Sequence, residues 1–276
     1  MFGARVQLIV HVLLIALGAA WRASAVELDL TAIDSYGLIN GALFREASHG
    51  AGSGMYTNLF SIRGGQGTPS YESGFNTGAS TQPLDASSGR NLLLDDVTIT
   101  TIGSEVYAIF GLDANENNGY ISLNEVEVWV SQTASLSSYS ALQASATRIY
   151  EMDAGTDSAI AINAGGSGAS DMEFCLPYLA FTGCNTSTTY VYLYAEMGGY
   201  NSDIGAITVA QLDWSDGFEE WAIPQGLPTL PPNFTVPEPT AALLTVVGSC
   251  ALLAGRRRRT SQATTPGDGR GRTGTA

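Results

Sequence analysis

An all-β fold, an antiparallel β-sandwich of jelly-roll-like type, is what this sequence predicts for the segment between its two hydrophobic ends. Three observations predict it. Short apolar stretches are punctuated throughout by glycine, serine, threonine and asparagine. Some of these stretches alternate apolar and polar residues with period two, the pattern of a half-buried strand. The segment is also about two hundred residues long, enough for one domain with a sizeable core, and its turns recur at sandwich spacing.

The elements follow in chain order. Arg5 precedes an apolar stretch, Val6 to Ala20, and Ala23-Ser24-Ala25 closes it with small residues. Charged start, short apolar core and small-residue exit are the parts of a secretory signal peptide, expected to be removed after Ala25. The ectodomain is expected over residues 26–223. Within it, Leu92 to Ile102 is rich in leucine, threonine and isoleucine, and Val106-Tyr107-Ala108-Ile109-Phe110 follows a Gly103-Ser104 turn. Glu125 to Val130 alternates strictly, so Val126, Val128 and Val130 share one face. Ser135–Ala146 reads as a short helix. Tyr190 to Tyr194 is β-rich on both faces, and Ala206 to Leu212 is a further strand candidate. A proline-rich spacer, residues 224–236, leads out of the domain and is expected to be stiff and extended.

The C-terminal part has a different character. Thr240–Gly255 carries no charge and no proline. At 1.5 Å per residue it would span about 24 Å as a helix, against a hydrocarbon core about 30 Å thick. Arg256, Arg257, Arg258 and Arg259 follow at once. Arginine stems snorkel to the interface, and positive charge holds that end in the cytoplasm. One transmembrane helix with the ectodomain outside is therefore expected, followed by a polar cytoplasmic tail over residues 260–276. Pro237 and Pro239 interrupt the chain just before the helix.

Composition removes several chemistries. Of 26 acidic and 12 basic residues, 24 and 4 fall in the ectodomain, a net charge of −20. So acidic a surface excludes nucleic acid as a partner and suits divalent cations, basic partners or solubility outside the cell. Every basic side chain is arginine, so lysine Schiff-base chemistry and a lysine P-loop are excluded. His49 is the one ectodomain histidine, which rules out a histidine-rich zinc site within one chain. No G-x-S-x-G elbow accompanies it.

Four sets of residues carry candidate chemistry. Asp113, Asn115, Asn117 and Glu125 place oxygen ligands at intervals suited to a calcium loop between strands, with Ca2+ as the cofactor such a loop would take. The EF-hand pattern itself is broken, because Asn118 occupies its glycine position and Asn124 its glutamate position. The same stretch also reads as an Asx-rich turn. Cys175 and Cys184 lie in the exported part, where an oxidising compartment lets them pair as a disulfide, or stand as two buried thiols. Trp129, Trp214 and Trp221 offer aromatic faces for glycan stacking, or core. Asp213, Asp216, Glu219 and Glu220 raise glycan hydrolysis, which needs two carboxylates across a cleft about 5 to 9.5 Å apart. On a strand, Glu219 and Glu220 would point to opposite faces.

The order Val236-Pro237-Glu238-Pro239, apolar segment, Arg256 to Arg259 resembles the PEP-CTERM sorting signal, here spanning residues 237–259. Proteins of that family are exported bacterial proteins. The resemblance implies export through the Sec machinery and signal peptidase. A membrane-embedded exosortase then recognises the Pro-Glu-Pro signal, cleaves, and delivers the ectodomain to the cell surface or exopolysaccharide matrix of a Gram-negative-type bacterium. Gly37 to Phe44, Leu112 to Glu116 with Ser122-Leu123, and Gly217 to Trp221 resemble a group of β-rich PEP-CTERM ectodomains. That likeness implies one domain over almost the whole mature length and brings no activity. The expectation is an exported, non-catalytic surface or matrix protein. A calcium-assisted polysaccharide-binding module and an extracellular glycan hydrolase are the alternatives.

Overall fold

The structure, a computed structural model, describes residues 26–49, 56–63, 71–116, 119–164, 170–212 and 217–225, with Ser48 and His49 in backbone only. All of them fall in the compact unit Met1–Phe234. The predicted signal peptide, apolar helix, arginine cluster and tail lie outside the described residues, as does the predicted spacer from residue 226 on; its first residue, Pro224, is corrected to the last residue of a strand, Phe218–Pro224. No helix of the described residues is long and apolar enough to cross a membrane.

The chain builds two sheets. The strands are β1 (Glu27–Leu30), β2 (Tyr36–Ile39), β3 (Ala42–His49), β4 (Tyr56–Ile62), β5 (Glu72–Phe75), β6 (Ala86–Gly89) and β7 (Ile99–Ile102). They continue with β8 (Glu105–Asn115), β9 (Tyr120–Ser131), β10 (Thr147–Glu151), β11 (Ala159–Asn163), β12 (Ser170–Pro177), β13 (Tyr190–Met197) and β14 (Phe218–Pro224). Helix α1 (Tyr139–Ser145) and the single turn α2 (Val209–Leu212) are set between strands. One sheet runs β1-β11-β9-β13-β5, with β10 also on β9. The other runs β2-β3-β12-β8-β14-β4-β6, with β7 also on β8. Every pairing is antiparallel except β1 on β11.

Two long consecutive strands organise this. β8 holds β7 and then β14 along one edge and β12 along the other. β9 holds β11 and then β10 along one edge and β13 along the other. Each is therefore the spine of one sheet, and the two spines follow one another in the chain. Period-two alternation sends Ala108, Phe110, Leu112 and Ala114 of β8 inward to meet Ile121, Leu123, Val126 and Val128 of β9 in one core. Phe44, Phe110, Tyr150 and Phe174 pack ring to ring inside it, at 5.1–5.7 Å between centroids. The two sheets thus form a face-to-face sandwich, as predicted at the level of class.

Single elements both follow and depart from the reading of the sequence. Val106 to Phe110 and Glu125 to Val130 are strand, but the first is the opening half and the second the closing half of a strand about twice as long. The helix expected over Ser135–Ala146 forms at Tyr139–Ser145. Ser138 caps it by accepting the Ala141 N–H at 3.1 Å. Leu92 to Ile102 is strand only from Ile99, because Leu94–Asp96 turns as a 3-10 helix. The strand expected over Ala206 to Leu212 is corrected. Val209–Leu212 is helical, with the Thr208 N–H accepted by Gln211 Oε1 and Leu212 buried against Ala159 and Ala161.

Candidate functional site

The predicted calcium set is split by the sandwich. Asp113 lies between the inward residues Leu112 and Ala114, so it points to the outer face of the eight-stranded sheet. There it sits cross-strand from Glu220, and Asp171 on the neighbouring β12 accepts the Ala114 N–H at 2.8 Å. Asn115 shares this face by parity. Glu125 pairs with Glu196 of β13 on the outer face of the six-stranded sheet. It accepts the Met152 N–H at 2.9 Å and neighbours Asp153. The two carboxylates stand on opposite outer faces, with a layer about 10 Å thick between the sheets. Glu125 is thus not a co-ligand of Asp113, and Asn117 lies outside the described residues. Among the described residues, no group of three or more His, Cys, Asp or Glu side chains is disposed to hold a metal.

Burial raises particular carboxyls on each outer face. Desolvation pushes Glu125 up to about 8, with Asp153 adding in the same direction. It pushes Asp153 up to about 6 and, on the other face, Asp171 to about 8, where Asp113 adds repulsion.

The aromatic platforms are corrected. Trp221 is fully buried, facing inward from β14 and stacked 6.4 Å from Phe60. Trp129 is on an outer face but roofed by α1. Tyr139 meets it edge-on at 6.4 Å, the Arg148 guanidinium lies 5.3 Å from its ring, and only 7% of it is exposed. Its Nε1 donates to Glu127 at 2.8 Å, and the Tyr139 hydroxyl and Arg148 Nη1 donate to the same carboxylate at 2.8 and 2.6 Å. The cluster looks sugar-like in composition and is a second small core beneath a helix. Trp214, Asp213 and Asp216 lie outside the described residues.

The disulfide is corrected too, because Cys175 and Cys184 are both free thiols. Cys175 lies between the inward residues Phe174 and Leu176 and therefore faces outward with Glu173. Cys184 packs against the inter-sheet core from the other side. Glu219 and Glu220 do point to opposite faces, as expected. Glu219 is wholly buried, whereas Glu220 accepts from Asn58 Nδ2 at 3.1 Å on the outer face. His49 ends β3, paired through its backbone with Ser170.

Two further features were not read from the sequence. Arg45 and Glu173 form an ion pair with side chains 4% and 2% exposed, the Arg45 Nε donating at 2.7 Å. Nothing in their sequence context distinguishes them from solvated charges. The other is a groove of about 550 Å³ at the open end of β9, beside the turn after residue 183. Ser131, Gln132, Thr133, Thr147, Asn185 and Thr189 line it with hydroxyls and amides, Cys184 lies at its wall, and no lining residue is charged. Gln132 Nε2 donates to Thr189 Oγ1 at 2.9 Å and Ser131 Oγ to the Ser145 carbonyl at 2.7 Å, so the polar lining is partly pre-ordered. A run of serine, threonine and glutamine around residue 131 is the only signal, and it reads equally as a turn.

Compared with known proteins, this chain matches no family model, no curated protein and no solved structure.

Proposed function

We propose that the chain is an exported, non-catalytic cell-surface or matrix protein, sorted by an exosortase through its C-terminal Pro-Glu-Pro signal. One observation carries the reading. Val236-Pro237-Glu238-Pro239, an uncharged Thr240–Gly255 and four consecutive arginines occur in that order, and a leader-like segment stands at the other end. A sandwich with an acidic exterior suits such a cargo, because like charge keeps copies apart in an extracellular matrix. The test is the mass and both termini of the protein recovered from its native cell surface and medium. A chain beginning near Val26 and ending before the apolar segment supports exosortase sorting. A chain that keeps Arg256 to Arg259 and the tail to Ala276 overturns it and leaves a plain membrane anchor.

A second reading, binding of a neutral saccharide, is favoured by the uncharged hydroxyl- and amide-lined groove. Ser and Thr hydroxyls and Gln and Asn amides both donate and accept, which matches sugar hydroxyls and discriminates against anions on so acidic a protein. Calorimetry with neutral and acidic matrix polysaccharides checks it. Binding of a neutral glycan that Gln132→Ala weakens about tenfold or more, a loss of about 1.4 kcal/mol, supports the groove. Binding left unchanged by that substitution, or no binding, removes this reading without touching the first.

A further inference from the structure

At one corner of the sandwich three carboxyl side chains meet inside the fold. Glu72 comes from β5 of the six-stranded sheet, Glu219 from β14 of the eight-stranded sheet, and Glu116 from the crossover between the two spines. Their exposures are 1%, 0% and 4%. Backbone parity puts them there. Glu72 is the cross-strand partner of Met197, and Glu219 of both Ala114 and Ile62, all three of which are core residues. Glu116 is fixed by its own N–H, which donates to the Ala164 carbonyl at 3.0 Å, and its Oε1 accepts the Gly217 N–H at 3.4 Å.

The described residues packed around Glu219 are as follows. β4 presents Ile62, and the following Arg63 lies over the Phe218 ring at 4.6 Å. Asp85, before β6, accepts the Ser73 N–H at 3.0 Å. From β8 comes Ala114, from β13 Met197, and from β6 Ala86, none of them ionisable. Glu220 and Asp113 face the opposite side of the eight-stranded sheet. The ion pairs among the described residues are Arg45–Glu173, Arg148–Glu127 and Arg148–Glu151, and none includes Glu219. Among the described residues, neither Glu219 oxygen accepts from an amide or a hydroxyl. Glu72 and Glu116 are the carboxyl groups that neighbour it.

Neighbouring buried carboxyl groups are mutually repulsive when both are ionised and attractive when they share a proton. Burial favours the neutral form as well. Both effects raise Glu219, burial first and the two neighbouring glutamates next.

We propose that this corner is a proton-held clasp between the two sheets. Glu219 keeps its proton at neutral pH, carboxyl–carboxyl hydrogen bonds tie β14 to β5 and to the crossover, and alkaline pH opens the corner. The step is a simple ionisation, with the proton passing to hydroxide and a carboxylate left behind. Its mechanical consequence is local. Among the described residues β5 is a four-residue edge strand that pairs with β13 and is held on its other side by the Asp85 N–H donating to the Ser73 carbonyl at 2.9 Å, so this short edge can part from β14 while both spines stay in register.

The test uses the full chain, its Glu219→Gln variant and its Glu72→Gln variant, because glutamine mimics the protonated acid and cannot ionise. Hydrogen exchange at β5 and β14 and the melting temperature are followed from neutral to alkaline pH. The clasp predicts that exchange of the wild-type β5 amides accelerates beyond base catalysis, by up to about a further tenfold per pH unit for one proton lost. In Glu219→Gln this excess disappears, and its melting temperature rises above wild type by a margin that grows with pH. If Glu219→Gln does not fold, Glu72→Gln carries the same comparison. A wild-type-to-variant difference independent of pH overturns the proposal. So does calcium that closes the alkaline wild type and leaves Glu219→Gln unaffected, because the corner would then hold a cation in place of protons.

Discussion

Glu127 shows how one carboxylate is made structural on an outward face of this sandwich. It is buried yet accepts from an indole, a phenol and a guanidinium, so its desolvation is offset by three donors. Removing the acceptor strands those donors beneath α1. Glu127→Ala is expected to lose about 2–3 kcal/mol, the worth of hydrogen bonds to a charged group, read as a lower urea midpoint with unchanged slope. A loss below a few tenths would show that water replaces the carboxylate. Trp221 is larger and has no such polar anchoring, since its Nε1 is buried without a partner among the described residues. Trp221→Ala should cost about 3–5 kcal/mol by leaving a cavity, and an unchanged denaturation curve would place the ring at the surface after all. These two tryptophans mark a limit of sequence reading. Trp129 and Trp221 both sit in alternating strands, and parity gives the face of each but not what covers that face. Burial of Trp129 depends on α1, a helix ten residues further along. The cysteines repeat the lesson, because nine positions of separation say nothing about which side of a sheet each thiol meets. A thiol reagent should therefore label Cys184 in the native protein and reach Cys175 only after denaturation, while reductant leaves the melting temperature unchanged. Equal protection of both thiols, released together by reductant, would restore the disulfide.

At the scale of elements, what was legible was the pair of spines. Val106 to Phe110 and Glu125 to Val130 announce themselves because both the apolar pattern and the β-branched or aromatic residues agree there. Their true length escaped detection because Gly111, Asp113 and Asn115, poor strand formers, are carried by pairing to β14 and β12. Strands such as β5 and β6, Glu-Ser-Gly-Phe and Ala-Ser-Ser-Gly, have no local strand signal and exist only through their neighbours. Ala206 to Leu212 failed for the opposite reason, since a short apolar run fits one helical turn as well as a strand. The entry to β14 is the most demanding join. A Cβ on Gly217 would stand 1.5 Å from the Asn115 carbonyl oxygen, a backbone atom that cannot move without breaking the β8–β14 register. Gly217→Ala is expected to unfasten the start of β14 and lower the melting temperature markedly. A variant as stable as wild type would mean the join is looser than this geometry. Ser138→Ala, by contrast, removes a single cap from α1 and should cost about 1 kcal/mol.

For the whole molecule, the inference with the longest reach is pH dependence. The sequence announces an acidic ectodomain, which would suggest only solvated charge and a stability insensitive to mild titration. The fold turns several of those acids into buried or paired groups that charge repulsion alone would not reveal. Glu219 could have been placed inward from the sequence, since it keeps step with Trp221, but its meeting with Glu72 and Glu116 depends on how the sheets stack. The consequence has a definite sign. Glu125 and Asp171 are held up to about 8 and Asp153 to about 6 by burial first, so between their ordinary values and these the folded chain binds more protons than the unfolded one. Stability then falls as pH rises across that window, fully present below the ordinary carboxylate range and lost as pH climbs through the raised values. The expected curve of unfolding free energy against pH therefore slopes downward from mildly acidic to mildly alkaline pH. Glu125→Gln and Asp171→Asn should each flatten part of that slope, one on each outer face, and their effects should add because the sandwich separates them. Urea denaturation across the window checks this directly. A free energy that stays level or rises with pH would mean that these carboxyls reach water in solution, and the outer faces would then be ordinary charged surface.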